Sequence, residues 1–149
     1  MSKHPLPIHL GEPMQNLGTS QAVGSRLPFQ ETIDHLKGAI EAEDLWLIHE
    51  IDPQMFLQRA GFSSLGLRQL LFFHPRYLVR LLEGNPGALV EVPLKLVILE
   101  MPDGKVTVRR PEPLVSIGCY PGMGALAAEL DGICMRLIST ISVPPGWKG

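Results

Sequence analysis

The chain has 149 residues, of which 45% are hydrophobic and 19% are charged, and its formal net charge is −2. This length and composition predict one globular domain with a hydrophobic core and exclude an intrinsically disordered chain. The small net charge provides no field that would attract nucleic acid, and no apolar run approaches the roughly 18 residues that a membrane span requires. We therefore expect no nucleic-acid partner and no membrane partner.

The first 17 residues contain three prolines and little periodicity, which predicts an N-terminal arm. They lack the apolar core of a signal peptide. The two cysteines, Cys119 and Cys134, form neither a C-x-x-C pair nor a zinc-binding spacing. These features predict a cytoplasmic protein with reduced thiols. We place a single domain at residues 18–142 and a C-terminal tail at residues 143–149.

The first half of the domain is predicted to alternate strands and helices. A weakly patterned strand at Thr19–Leu27 is followed by a helix that Pro28 opens, with an apolar stripe at i, i+4, i+7 and i+11. Leu45–Ile51 has the alternation of a strand. That alternation predicts that three side chains face inward, Leu47, His49 and Ile51, and that Trp46, Ile48 and Glu50 face the opposite side.

A short helix is predicted through Met55 and Phe56, ending at Gly61, and Leu67–Phe73 is predicted to be the third strand. Pro75 suits the first position of a helix, which makes His74 the N-cap residue of that helix. The stripe of this helix consists of Tyr77, Leu78, Leu81 and Leu82, and Gly84 ends it.

The second half of the domain contains a hairpin and two further helices. Asn85-Pro86 predicts a short helix that ends before Pro93. Leu94–Glu100 and Lys105–Arg110 are predicted strands joined by a turn at MPDG, and Met123–Ser139 has a helical stripe. Strands joined by hairpins favour an α+β two-layer sandwich, in which a mostly antiparallel sheet carries its helices on one face.

Four segments resemble a known family in their order and spacing. They are the helix PFQETIDHLKGAIEAEDL, the strand WLIHEID, the run LLFF, and VPLKLVILEMPDGKVTV with Pro113 after it. Over roughly residues 20–140 the chain is similar to the bacterial family catalogued as domain of unknown function number 302. This resemblance implies a TBP-like fold and a homodimer, and it implies no established activity.

The chain departs from the family pattern at its histidines. The family usually continues the third strand into Gly-Asn-Pro and a glycine-rich turn, whereas here His74-Pro75 follows the strand directly. The family often has Asp-His after the second strand, whereas Asp52 precedes a proline here. His49 stands where the family tends to carry a small residue. The chain has therefore lost one histidine and gained two.

His74 is the main candidate for a functional residue. Histidine is a poorer N-cap than Ser, Asp or Asn, so helix capping alone explains this residue poorly. An imidazole beside Phe72 and Tyr77, with Arg76 and Arg80 following, has the chemistry of a haem pocket: an axial nitrogen, apolar walls and arginines for propionates. Capping of the helix and a catalytic role are the two alternatives.

His49 is the second candidate, either as a satisfied core histidine or as a residue that shares a ligand with His74. No carboxylate pair, G-x-S-x-G, G-x-G-x-x-G or P-loop motif supports a specific reaction. The sequence therefore predicts a non-catalytic homodimeric binding module for an apolar or haem-type ligand, with haem b as candidate cofactor and His74 as candidate metal ligand. The alternatives are a small redox or isomerising enzyme that uses His74 or Cys119, and a purely structural or partner-binding protein.

Overall fold

The computed structural model describes residues 4–11 and 22–144. These residues contain seven strands: β1 (Leu6–Pro7), β2 (Ala22–Ser25), β3 (Trp46–Ile51), β4 (Phe62–Ser63), β5 (Leu67–Phe73), β6 (Leu94–Glu100) and β7 (Val106–Arg109). They also contain five α-helices: α1 (Phe29–Ala42), α2 (Pro53–Arg59), α3 (Pro75–Gly84), α4 (Pro113–Ser116) and α5 (Gly124–Ser139). A 3₁₀ helix spans Pro86–Glu91.

Five of the strands form one antiparallel sheet in the order β2-β7-β6-β5-β3. On the neighbouring strands β5 and β6, four side chains are 0% exposed and point towards the helices: Leu70, Phe72, Leu96 and Ile98. Burial of such side chains stabilises the fold by roughly 1.5–3 kcal/mol each. The predicted α+β two-layer architecture, with helices on one face of the sheet, is confirmed.

The two long helices supply the other half of the core, and each does so with its predicted stripe. On α1, Ile33 and Leu36 are 0% exposed and Ile40 is 1% exposed. On α5, the buried residues include Leu126, Leu130, Ile133 and Leu137. Side chains spaced three and four residues apart share one face of a helix, so each stripe faces the sheet along the length of its helix.

Three helices begin with the same local arrangement, a polar residue followed by proline. Asp52, His74 and Asn85 each accept a hydrogen bond from a backbone N–H in the first turn of the helix that follows. Proline suits the first helical position because its missing N–H would have had no partner inside the helix. His74 therefore occupies the position that Asp and Asn hold elsewhere in the same chain.

The two edges of the sheet differ. The outer edge of β2 is closed by the segment after α5, through a bridge between Ser25 and Ser142 and a hydrogen bond from the Val143 N–H to the Gly24 carbonyl. Within the described residues, no strand pairs with the outer edge of β3. Three consecutive side chains of β3 are exposed: Trp46 (56%), Leu47 (36%) and Ile48 (50%).

The predicted side-chain directions in β3 are wrong in part, because the strand contains a bulge. The register shifts between Leu47, which pairs with Phe72, and His49, which pairs with Leu71. An extra residue in one strand reverses the alternation after it. Leu47 consequently lies on the helix-covered face, whereas His49 is exposed on the opposite face and does not point inward.

Other sequence expectations differ in detail. The first predicted strand is limited to Ala22–Ser25, and its expected start at residues 19–21 lies outside the described residues. In the described part of the predicted N-terminal arm, residues 4–11, β1 packs on the domain by pairing in parallel with β4. Helix α4 forms between the predicted hairpin and Met123–Ser139, where neither of the two predicted helices lies. No helix in residues 4–11 or 22–144 is long and apolar enough to cross a membrane.

Replacing Gly118 with alanine should destabilise the protein strongly. A Cβ atom at this position would lie 2.1 Å from the carbonyl oxygen of Leu114, which is backbone and cannot move aside cheaply. We expect a loss of about 1–3 kcal/mol in the free energy of unfolding, measured by urea denaturation.

The matched control is Gly38→Ala in α1, where a Cβ atom meets nothing within 4 Å. This change should stabilise the protein by about 0.5–1 kcal/mol, because glycine is a poor helix former. An unaltered free energy of unfolding in the Gly118 variant would contradict the packing that we describe for this loop.

Candidate functional site

His74 caps α3 with its side chain. Its backbone is extended (φ −149°, ψ 142°), and its Nδ1 atom accepts a hydrogen bond of 3.1 Å from the backbone N–H of Arg76. The imidazole is half-buried and meets the Trp46 ring edge-on, with 5.2 Å between the ring centroids. The histidine thus joins the end of β5, the start of α3 and the exposed edge of the sheet.

This hydrogen bond determines what the ring can offer a ligand. Because Nδ1 accepts a hydrogen bond from the backbone N–H of Arg76, the neutral imidazole carries its own proton on Nε2. A histidine that binds a metal normally donates the proton of its other ring nitrogen, which is the opposite arrangement. Iron at Nε2 would therefore require His74 to give up the cap of α3.

The apolar residues expected around His74 belong to the core. Phe72 is 0% exposed and Tyr77 is 6% exposed, so neither offers a surface to a ligand in this conformation. Both side chains pack in the core instead of forming walls of the expected haem pocket. The ring of Tyr77 packs instead against Phe73 at a centroid distance of 6.2 Å.

The two arginines of α3 are engaged with other parts of the chain. Arg76 donates to the carbonyl oxygen of Asp44 (2.6 Å) and lies over the ring of Tyr77, with 4.5 Å from Cζ to the centroid. Arg80 forms an ion pair of 2.6 Å with Glu129 on α5. These contacts tie α3 to its neighbours, which explains both arginines without a propionate.

His49 and His74 are not brought together as a pair. His74 contacts Trp46, and His49 lies three residues further along β3, roughly 10 Å at the rise of an extended strand. In the part of the chain that the structure describes, no three His, Cys, Asp or Glu side chains form a group that could hold a metal ion.

Both cysteines are free. Cys119 is exposed in the loop before α5. Cys134 is buried, and burial raises the pKa of its thiol to about 12, so this cysteine is neutral near neutral pH. The buried thiol behaves as a small apolar residue of the core.

A polar cluster holds β3 against α1. Glu50 accepts hydrogen bonds from Lys37 at 2.8 Å and from Arg68 on β5, and Arg68 also approaches Asp52. Burial alone would raise the pKa of Glu50, but the hydrogen bonds and charges of Lys37 and Arg68 outweigh it and lower the pKa below its ordinary 4.5. The cluster therefore fixes the edge strand through an ionised carboxylate.

A cleft of about 330 Å³ lies where β6 begins and β7 ends, a site that we did not anticipate from the sequence. Beside it, Arg110 donates from Nη1 to Asp131 on α5 (3.1 Å) and to the Pro111 carbonyl (3.0 Å). The side chains of this ion pair are only 11% and 10% exposed. Its two residues are 21 positions apart in the sequence, so no local motif reveals the pair.

These elements define a class of protein: a two-layer α+β domain whose open antiparallel sheet carries helices on one face. The family described as "Domain of unknown function DUF302" matches residues 21–141, and the chain belongs to this family. The family prediction is thereby confirmed.

A crystal structure of an uncharacterized conserved DUF302 protein from Bacillus stearothermophilus is similar to this chain, with a TM-score of 0.74. The two sequences are 21% identical, and the match covers 83% of this chain and 98% of that one. At this identity the likeness shows the fold alone. None of the curated proteins compared with the chain matches it.

His74→Ala should lower the free energy of unfolding by about 1 kcal/mol, because the Arg76 N–H loses its acceptor. His74→Asn should retain most of that stability, since asparagine is a strong N-cap. Urea denaturation of the two variants measures the difference. Equal losses in both would show that the imidazole is needed for something other than capping.

Stability should fall in acid partly through Glu50. Because the pKa of Glu50 in the folded chain lies below 4.5, its ionised carboxylate stabilises the fold above that pH. This contribution is lost as the pH falls through the lower folded value. Urea midpoints measured at about pH 7 and about pH 3 should therefore differ less in Glu50→Gln than in the wild type.

The control for this prediction is Glu83→Gln on α3, an exposed residue outside the Glu50 cluster. Its pH dependence should match that of the wild type. If Glu50→Gln also kept the wild-type dependence, the cluster would make no measurable contribution to acid stability.

Proposed function

We propose that the protein is a non-catalytic, homodimeric binding module, and that two copies associate through the outer edge of β3. The observation that carries this proposal is the exposed apolar run Trp46, Leu47 and Ile48 on a strand whose outer edge pairs with nothing in residues 4–11 and 22–144. Unpaired N–H and C=O groups on such an edge are a template for another strand. The edge of β2, by contrast, is closed by Ser142.

A second copy of the chain is the partner that fits this edge. Two β3 strands related by a two-fold axis would pair antiparallel and would bring the same apolar side chains together, as an isologous interface requires. The net charge of −2 opposes such an association only weakly. Beside the edge, a cleft of about 280 Å³ lined by Ile40, Leu45 and Leu47, among others, offers room for apolar side chains of the partner.

The family resemblance implies a homodimer, which supports this proposal. It also implies a TBP-like topology. The non-catalytic role is supported by the positions of the polar candidates. His74 caps a helix, Arg76 and Arg80 bind neighbouring elements, and Cys134 is a neutral thiol in the core. The cytoplasmic location expected from the sequence stays a prediction.

Haem binding by His74 is a weaker form of the same proposal, since the residues around this histidine do not fit the group as they are arranged. A sharp Soret band at stoichiometric hemin, lost in His74→Asn, would support it. A spectrum that is the same in the variant and the wild type would leave His74 as the N-cap alone.

Light scattering of the wild type at micromolar concentration should give twice the 16.4 kDa mass of the chain. Ile48→Lys should raise the dissociation constant of the dimer by about 100-fold, because an unpaired ammonium would be buried in the interface. The matched control is Val90→Lys, since Val90 is 78% exposed on the 3₁₀ helix and should not affect association.

A monomeric wild type would contradict the dimer. A dimer that Ile48→Lys and Val90→Lys leave equally stable would contradict the edge of β3 as its interface.

A further inference from the structure

The cleft beside Arg110 has the size and composition of a small-ligand site. Its floor comes from adjacent strands, where Val97 of β6 pairs with Arg109 of β7, and its rim comes from the segments before β6 and after β7. At about 330 Å³ it reaches the lower end of the range for ligand sites. With roughly 30 Å³ for a water-sized group, it holds about ten non-hydrogen atoms.

Arg110 presents a defined hydrogen-bonding edge at this cleft. The hydrogen bonds that it makes within the described residues, to Asp131 and to the Pro111 carbonyl, both use Nη1. No described residue accepts a hydrogen bond from its Nε or Nη2 atom, and 11% of the side chain is exposed. These two N–H groups are parallel donors, the geometry that matches the two oxygens of a carboxylate.

The charges around the cleft limit the class of ligand. Lys95, Arg109 and Arg110 line it together with Glu91 and Glu112, and Asp131 lies behind Arg110. Three cations therefore face three carboxylates, which gives little attraction for a polyanion such as a nucleotide. The rest of the lining is apolar apart from Ser116, and it consists of Pro93, Leu94, Val97 and Pro111.

We propose that this cleft binds a small organic monocarboxylate, with its carboxylate on Nε and Nη2 of Arg110 and its apolar part against Val97 and the prolines. The inference names a ligand class for the binding module proposed above. It rests on that binding role and is independent of the dimer.

The test uses ¹⁵N-labelled full-length protein titrated with benzoate or hexanoate. Saturable shifts should concentrate on the amide signals of Lys95, Val97 and Arg110 and on the Arg110 side-chain Nε–H. Benzamide, which has the shape of benzoate but no charge, should bind at least about tenfold more weakly, because a charge-assisted bidentate pair is lost. Inorganic phosphate should give no saturable shift.

Two variants locate the site. Arg110→Gln should weaken benzoate binding by about tenfold or more. The matched control Arg26→Gln should not, since Arg26 follows Ser25, which pairs with Val106 at the opposite end of β7. Val97→Phe fills the cleft without touching the buried ion pair, and it should abolish binding even if Arg110→Gln fails to fold.

Four results would overturn the proposal. They are no saturable shift with either carboxylate up to about 10 mM, shifts centred away from the cleft, equal binding of benzamide, and unchanged binding in Val97→Phe. Light scattering tests the dimer, and the titration tests the carboxylate site. Failure of one proposal can therefore be distinguished from failure of the other.

Discussion

Burial of four side chains on the neighbouring strands β5 and β6 is the interaction on which the rest of the structure depends. Leu70 and Phe72 of β5 and Leu96 and Ile98 of β6 are 0% exposed beneath the helices. Because alternate residues of a strand point to opposite faces, these four place the core on one side of the sheet. An antiparallel sheet can have one face buried against helices and the other face exposed to water. The two sites that we propose for other molecules accordingly lie at an edge of the sheet and at the ends of strands, where the side chains are not part of the core.

The edge strand β3 shows this consequence most clearly. Natural edge strands are commonly protected by charged side chains, prolines or bulges. β3 has a bulge after Leu47 and one carboxylate, Glu50, but Lys37 and Arg68 hold that carboxylate towards α1. The charge that could protect the edge is thus used to fix the strand in place, while Trp46 and Ile48 remain exposed. An apolar edge that is held in place by these contacts suits association better than it suits exposure to solvent.

Local periodicity in the sequence predicted most of the fold and little of the site. The stripes of α1 and α5, the hairpin from β6 to β7 and the proline-initiated helices depend on neighbours within a few residues, so the sequence contains their signals. The bulge in WLIHEI has no glycine or proline to mark it, and it reversed the expected direction of His49 relative to Leu47. Pro75 correctly indicated that His74 is an N-cap. The sequence did not reveal that Nδ1 would be the acceptor, which bears directly on its use as a metal ligand.

The buried pair of Arg110 and Asp131 is the feature that core packing explains least well. Removing two charges from water is costly. A protein with apolar residues of similar volume in place of a buried ion pair is often just as stable. The ion pair connects the end of β7 to the middle of α5. The Pro111 carbonyl is a second acceptor for Nη1 of Arg110. Cys134 nearby is neutral, with a thiol pKa raised to about 12, so it does not compete for the guanidinium. Two acceptors on Nη1 hold the plane of the guanidinium and leave its other edge in a fixed orientation. A donor that is already fixed in the free protein loses less conformational entropy when a ligand binds. An apolar pair at these two positions could not fix a donor in this way.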